Sequence, residues 1–361
     1  MTEREREILR WIEADPMISQ QELADRAGIT RSSVAVHISN LMKKGCISGR
    51  GYIVRGGDYA AVVGGVNVDI GGMASQKLVS GDSNPGRVRT SLGGVGRSIA
   101  HNMALLGVDT RLVTVFGDDP NAERLTESCR RLGIDVSGSL RVPGAATSTY
   151  LYIAGPGGDM ALAVSDMEIY DRLTPEAMAS RLDIVNNARA LVLDTNIPEN
   201  TIEWLCAGTH TPIFADPVST VKAEKLRGVL RYLHTLKPNR LEAEILSGLK
   251  ITDERSLHRA ADRLLEEGVQ RLFISLGAQG VLAADQEERF LLPSLPEKVV
   301  NTTGCGDAFM AGLVWSFLQG DSLRESACSG MAAAHVALES SETVNPFLSA
   351  AELDRRRKSF S

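Results

Sequence analysis

The stretch Asn301-Thr302-Thr303-Gly304-Cys305-Gly306-Asp307-Ala308-Phe309-Met310-Ala311-Gly312 carries the densest chemical information in the chain. Gly304 and Gly306 permit positive φ and close backbone approach. The residues that follow, through Leu313-Val314-Trp315, are apolar and predict a helix. A glycine-rich turn that opens a helix presents backbone N–H groups and the positive end of the helix dipole, which makes an anion site. A carboxylate there would repel phosphate if anion binding were the whole purpose. It makes sense if a hydroxyl must lose its proton while it attacks phosphorus. Asp307 would also serve as an N-terminal helix cap, and at this point both readings stand.

Working outward, short apolar runs at 60–65, 110–116, 190–193, 212–215, 235–236 and 271–275 alternate with helical stretches at 97–106, 122–132, 202–207 and 257–267. Such alternation predicts an α/β domain, a mainly parallel sheet with helices on both faces and ligands at the carboxyl ends of its strands. The stretches 76–92 and 147–165 look extended but fall outside this rhythm. They predict a small separate sheet, read either as a lid or as an added edge.

The first 56 residues differ from the rest. They hold nine Lys/Arg against seven Asp/Glu, in a chain whose net charge is −6. From Arg26 to Gly57 there are six basic residues and no acidic one. Two capping boxes, Thr2 with Glu5 and Ser19 with Glu22, start two helices. Pro16 ends the first. Gly28 and Thr30 separate the second from a third, which buries Val34, Ile38, Leu41 and Met42 and shows Arg31, Ser32, Ser33, His37 and Lys43. Cys46-Ile47, a turn at 48–51 and Tyr52-Ile53-Val54 read as a hairpin. Three helices and a hairpin describe a winged helix-turn-helix, with DNA as the expected partner and Arg31, Ser32, Ser33, His37 and Lys43 as its contacts. A packing or dimerisation module with a solvated charged face is the other reading. A single copy needs dimerisation for useful affinity, so a homodimer is expected.

Composition excludes several classes. Hydrophobic residues make up 43% and charged residues 23%, so the chain is not disordered as a whole. Five widely spaced cysteines without a CxxC pattern predict neither disulfides nor a zinc site. The charged start MTEREREILR and the lack of any long apolar run predict no signal peptide, no membrane partner and a cytoplasmic location.

The 301–312 motif resembles the signature of the PfkB/ribokinase carbohydrate and nucleoside kinases. Other landmarks follow in the family's order. Val62-Val63-Gly64-Gly65-Val66-Asn67-Val68-Asp69 is similar to the first strand and its sugar-binding Asn and Asp. Gly93-Gly94-Val95-Gly96-Arg97-Ser98-Ile99-Ala100 is similar to the substrate loop. Lys237-Pro238-Asn239 with Glu242 resembles the N-x-x-E element that organises magnesium and phosphates, and Ser275-Leu276-Gly277-Ala278-Gln279-Gly280 the nucleotide-binding turn. The likeness covers about 60–350 and, within the family, is closest to pseudouridine kinases. A winged head also occurs among their bacterial relatives.

The resemblance implies a ribokinase-like three-layer α/β/α domain over 58–361 with a small β lid, preceded by the winged domain at 1–56. It implies ATP-dependent phosphorylation of the 5′-hydroxyl of a ribonucleoside, pseudouridine first. Asp307 would be the base, and the N–H groups around Gly304, Cys305 and Gly306 the anion hole. Asn67, Asp69, Gly93, Gly94 and Ser98 would take the substrate, Asn239, Ser275, Gly277 and Gly280 the nucleotide, and Glu242 the Mg²⁺. The helix N-terminus would favour the charged form of Asp307, making it a modest base. Two positions depart from the family pattern. Ser98 replaces the usual Asn, and Asn301 replaces an Asp that in relatives helps to hold a monovalent cation, so a potassium ion is a questionable cofactor. Another sugar or nucleoside as substrate, or a ligand-sensing transcription regulator with little turnover, are the alternatives.

Overall fold

The computed structural model describes residues 1–15, 18–47, 58–295 and 299–360. It divides into two compact units, Met1–Asp58 and Tyr59–Ser361. Pro16 and the hairpin expected beyond Ile47 lie outside the described residues.

In the small unit, helices span Glu3–Ala14, Gln20–Ala27 and Arg31–Lys43. Both capping boxes form, and Thr30 caps the third helix by accepting from the Ser33 N–H. Gly28 takes the left-handed conformation that ends the second helix, at φ +64°. Ile8, Ile12, Leu23, Val34, Ile38 and Leu41 make the core. Met42 does not join them, being 48% exposed. It lies one residue, about 100° of helix, beyond Leu41 and off the stripe that faces the other helices. Lys44 pairs with buried Glu5 at 2.6 Å. Arg31, Ser32 and Lys43 are exposed, while Ser33 and His37 are half-buried. The Ser33 hydroxyl is already shared with Thr30 at 2.9 Å.

The large unit is built on an eight-stranded sheet. From one edge, the strands are Arg289–Leu292, Val281–Ala284, Arg271–Ser275, Leu233–Leu236, Ile213–Asp216, Ala190–Asp194, Tyr59–Val63 and Asp109–Val113. Six are parallel, and the two at the Arg289 edge join antiparallel. The apolar runs are continuous because both sheet faces are covered. Ala60 and Val62 point into one apolar cluster with Ile99, Phe309 and Ala311. Ala61 and Val63 point into the other, with Leu257 and Leu264. This period-two division gives three layers, α/β/α.

A second sheet of four strands stands apart, in the order Gly86–Gly93, Asn67–Ala74, Thr149–Ala154, Met160–Asp166. Residues 76–85, part of the stretch 76–92 expected to be extended, are not strand. Their place is taken by Asn67–Ala74, which runs antiparallel to Gly86–Gly93. Two consecutive glycines, Gly71 and Gly72, hide that strand from a propensity reading. Tyr152 packs where a Cβ on Gly71 would stand.

Candidate active site

Parallel strands bring their carboxyl ends to one edge of the sheet, so residues distant in sequence meet there. Asp194 and Asp216 end neighbouring strands in register, and Lys237 follows the next strand. Lys237 Nζ lies 3.0 Å from Asp216 Oδ2, with both side chains buried. Asp194 is buried and accepts from the backbone N–H of Gly65 at 2.7 Å and of Asn196 at 2.8 Å. None of these three was singled out above as a site residue. Lys237 stands inside the quoted Lys237-Pro238-Asn239, which is the one signal that pointed to it.

The glycine-rich turn arrives at the same edge. Gly304, at φ +85°, is the N-cap of the 15-residue helix Cys305–Gln319, and no side chain caps that helix. Asp307 therefore sits in the first turn with its carboxylate not spent on capping. A Cβ on Gly304 would collide with the Thr343 carbonyl, and one on Gly306 would stand 3.1 Å from Lys237 Nζ. The ammonium thus faces the nest of N–H groups.

The direction of the shift expected at Asp307 needs correcting. Burial, together with the negative charges of Asp216 and Asp194, holds its carboxyl well above the usual carboxylate range. Lys237 and a hydrogen bond from Ser98 oppose this without overcoming it. Desolvation among carboxylates works against the helix dipole, which acts on this first-turn residue in the opposite sense. Ser98 is buried and reaches Asp307, a contact the motif alone does not disclose.

On one side lie the sugar-binding candidates. Asn67 Nδ2 donates to Asp69 Oδ1 at 2.5 Å. Burial raises the Asp69 carboxyl, while the Asn67 bond and Arg97 pull it down. Gly93 sits opposite Asn67 in the lid sheet, and a Cβ there would strike the Asp69 carboxylate. Gly94, at φ +96°, lets the backbone approach the Gly65 carbonyl.

On the other side a cleft of about 610 Å³ is lined by Lys237, Ser275, Gly277, Gly280, Cys305 and Gly306, and by apolar Leu295, Val299, Phe309 and Met331. An apolar wall beside a few polar groups can take a flat ring and a charged chain. Asn239 and Ser275 meet in an isolated β-bridge. Asn239 and Glu242 form a capping box: the Asn239 N–H donates to Glu242 Oε2 at 2.8 Å and the Glu242 N–H to Asn239 Oδ1 at 2.9 Å. Burial raises the Glu242 carboxyl. Burial and Asp307 push the Cys305 thiol up to about 11, so it contributes backbone rather than a thiolate. Among the described residues, no group of three or more His, Cys, Asp or Glu could hold a metal ion. No described helix is long and apolar enough to cross a membrane. The DNA-contact candidates Arg31, Ser32, Ser33, His37 and Lys43 belong to the small unit.

Residues 58–350 match the family described as pfkB family carbohydrate kinase. The chain belongs to that family. The first 48 residues of this pfkB kinase match the winged helix-turn-helix DNA-binding family. Over 352 residues it is 43% identical to "Uncharacterized sugar kinase YeiI" of Escherichia coli (strain K12), covering 97% of each chain. It is 37% identical over 299 residues to the pseudouridine kinase of the same organism, covering 82% of this chain and 95% of that one. Among solved structures, a carbohydrate kinase from Agrobacterium tumefaciens superposes with a TM-score of 0.75 at 27% identity, over 84% of this chain and 97% of that one. The Arabidopsis thaliana ribokinase complexed with ribose and ATP shares the fold, at 21% identity and a TM-score of 0.74, over 84% of this chain and 99% of that one. The chain is an ATP-dependent phosphotransferase with an alcohol group as acceptor, a sugar or nucleoside kinase related to pseudouridine kinase.

Proposed function

We propose that this pfkB kinase phosphorylates the 5′-hydroxyl of a ribonucleoside, pseudouridine, with Asp307 as the base. One observation carries the reading. An uncapped helix start carries the Asp307 carboxyl, raised by burial above the usual carboxylate range, beside a glycine nest and the Lys237 ammonium. A base works best when its pKa lies nearer the working pH than an ordinary carboxylate's, so a rise acts in the favourable direction. The 5′-oxygen attacks the terminal phosphorus of ATP, the bond to the leaving ADP oxygen breaks, and the hydroxyl proton passes to Asp307. N–H groups around Gly304, Cys305 and Gly306, with Lys237, face the charge on the transferring group. Asn67 and Asp69 hold ribose hydroxyls, while Gly93 and Gly94 let them approach. Ser275, Gly277 and Gly280 border the nucleotide. The 37% identity to a pseudouridine kinase supports the choice of nucleoside.

Magnesium fits the residues present. Glu242 gives one oxygen to its capping box and keeps the other, and Asn239 stands beside it. A mostly hydrated Mg²⁺ needs only one or two carboxylates besides phosphate oxygens, so Glu242 and Asn239 would hold it through water. Such an ion would neutralise phosphate charge. A potassium ion does not fit in the same way. Asn301 is neutral, and its Nδ2 donates to the Ser341 carbonyl.

The small unit is proposed to bind DNA, with Arg31 and Lys43 on phosphates and Ser32, Ser33 and His37 toward bases. A homodimer would supply two heads. Exposed Val88, Leu151, Met160, Leu162 and Val164 on the lid sheet support such pairing. The test of the enzymatic reading is ATP turnover over a panel of nucleosides and sugars. Phosphorylation of pseudouridine ahead of ribose is expected. No turnover with any acceptor would leave the sensing regulator as the better account.

A further inference from the structure

Arg97 is a buried charge that the phosphoryl-transfer account leaves unused. It stands in the first turn of the helix Val95–Leu105 and is 5% exposed. A guanidinium taken out of water carries a desolvation cost that a packed apolar side chain does not, so packing alone does not account for it. Its Nη1 donates to the Leu92 carbonyl at 2.8 Å, and its Nη2 to Ser128 Oγ at 2.8 Å. Its Nε is buried without a hydrogen-bond partner. The Arg97 backbone N–H donates to the Gly65 carbonyl at 3.1 Å. One residue therefore fastens the turn after the first strand, the strand that ends at Gly93 and the helix Pro120–Arg131.

These ties converge on the acceptor side. Leu92 pairs with Val68, which lies between Asn67 and Asp69, and Gly93 pairs with Asn67. Gly93 is so close to Asp69 that a Cβ would meet its carboxylate. Movement of the Leu92–Gly93 peptide is thus passed directly to the Asn67–Asp69 pair. The far anchor is itself held. Asp119 caps the helix Pro120–Arg131 by accepting from the Ala122 N–H at 2.8 Å, and it accepts from the Thr147 N–H and hydroxyl, each at 2.7 Å. Thr147 stands two residues before the strand Thr149–Ala154. One outer helix therefore steadies two of the places where the four-stranded sheet joins the rest of the large unit.

Charge supplies a second link. Cys129 and Asp69 are the titratable groups that act on Arg97. Burial pushes the Cys129 thiol up and keeps it neutral, so Asp69 is the negative charge that the guanidinium meets. Arg97 in turn favours ionised Asp69 against its burial. An ionised carboxylate only accepts hydrogen bonds, which suits sugar hydroxyls as donors. We propose that Arg97 is a positioning residue for the acceptor: it fastens the Leu92–Gly93 peptide to the helix Pro120–Arg131 and supplies the positive charge that acts on Asp69, without touching the acceptor. This rests on Asn67 and Asp69 as the acceptor-binding residues of the function proposed above.

The test measures KM for ATP and for pseudouridine in the full chain, with ribose as the acceptor if the turnover panel selects sugars. Arg97→Met should raise the acceptor KM roughly tenfold or more and leave the ATP KM within about twofold. Arg97→Lys keeps the charge but loses the planar fork, and should recover part of that loss. In an Asp69→Asn background the charge link is already gone, so Arg97→Met should raise the acceptor KM by less than about threefold more. Ser128→Ala frees one end of the guanidinium without leaving a charge alone. It should raise the acceptor KM roughly three- to fivefold, and it carries the test if Arg97→Met does not fold. Equal rises in both KM values, the mark of a general structural role, overturn the inference. So does an acceptor KM unchanged in the folded variants, or an Arg97→Met loss that recurs in full beside Asp69→Asn. An Asp69→Asn chain with an unaltered acceptor KM refutes instead the acceptor site proposed above, and the role of Arg97 with it.

Discussion

Lys237 is the point where stability and catalysis meet, and Lys237→Met separates them. Its Nζ stands 3.0 Å from Asp216 with both partners buried. At an effective dielectric of about 20, two unit charges at that spacing attract by about 5 kcal/mol. Removing one partner of a buried pair costs about 3–5 kcal/mol, because the other charge stays buried alone. Here the cost is aggravated, since Glu242 and Asp307 also bear on Lys237. The melting temperature of the large unit should therefore fall by roughly 6–10 °C, at roughly 2 °C per kcal/mol for a unit of this size. Asp216→Asn in the same chain removes the orphaned charge and should return a good part of that loss. Turnover behaves differently. Lys237 faces the nest at Gly306, and losing a donor aimed at a transferring group lowers kcat by roughly 10²–10³. The second substitution should not restore it. Urea and thermal unfolding of the two single variants and the double variant, with kcat for each, complete the cycle. A loss under about 1 kcal/mol in Lys237→Met, or losses that simply add in the double variant, would refute the buried pair as argued.

Ser98→Ala removes a hydrogen bond that favours ionised Asp307, so the carboxyl rises further. Since the base must be ionised, the acid limb of the kcat–pH profile should move to higher pH, and a shift to lower pH would contradict the contact. Gly304→Ala puts a Cβ into the Thr343 carbonyl at φ +85°. It should destabilise by roughly 1–3 kcal/mol and cut kcat more than a hundredfold, measured by calorimetry and turnover. Arg31→Ala and Lys43→Ala should each weaken binding to duplex DNA about equally across sequences and reduce the salt slope by about 1, read by anisotropy titrations at several salt concentrations. Unchanged slopes would leave the solvated-face reading of the small unit.

Much of this arrangement is legible in the sequence because it is local. Capping boxes, the Gly28 stop and the apolar runs act through neighbouring residues, and each element appears where those signals lie. The nest at 304–307 is likewise one continuous segment. What stayed hidden is what the sheet assembles at a distance. Asp194, Asp216 and Lys237 come together only because three parallel strands end on one edge. That convergence also raises the Asp307 carboxyl: its own helix argues for charge, and its distant neighbours argue against it. The strand Asn67–Ala74 stayed hidden because two glycines mask a strand that pairing, not propensity, holds.

The account stands most directly on Asp307→Asn. The amide keeps the shape of the side chain and loses the capacity to take a proton. Steady-state turnover of pseudouridine with ATP, measured beside calorimetric binding of pseudouridine to the same preparation, gives the decisive comparison. Turnover lost by at least a thousandfold with the dissociation constant held within a few-fold is the result expected. Turnover within tenfold of the wild type would show that another group receives the proton.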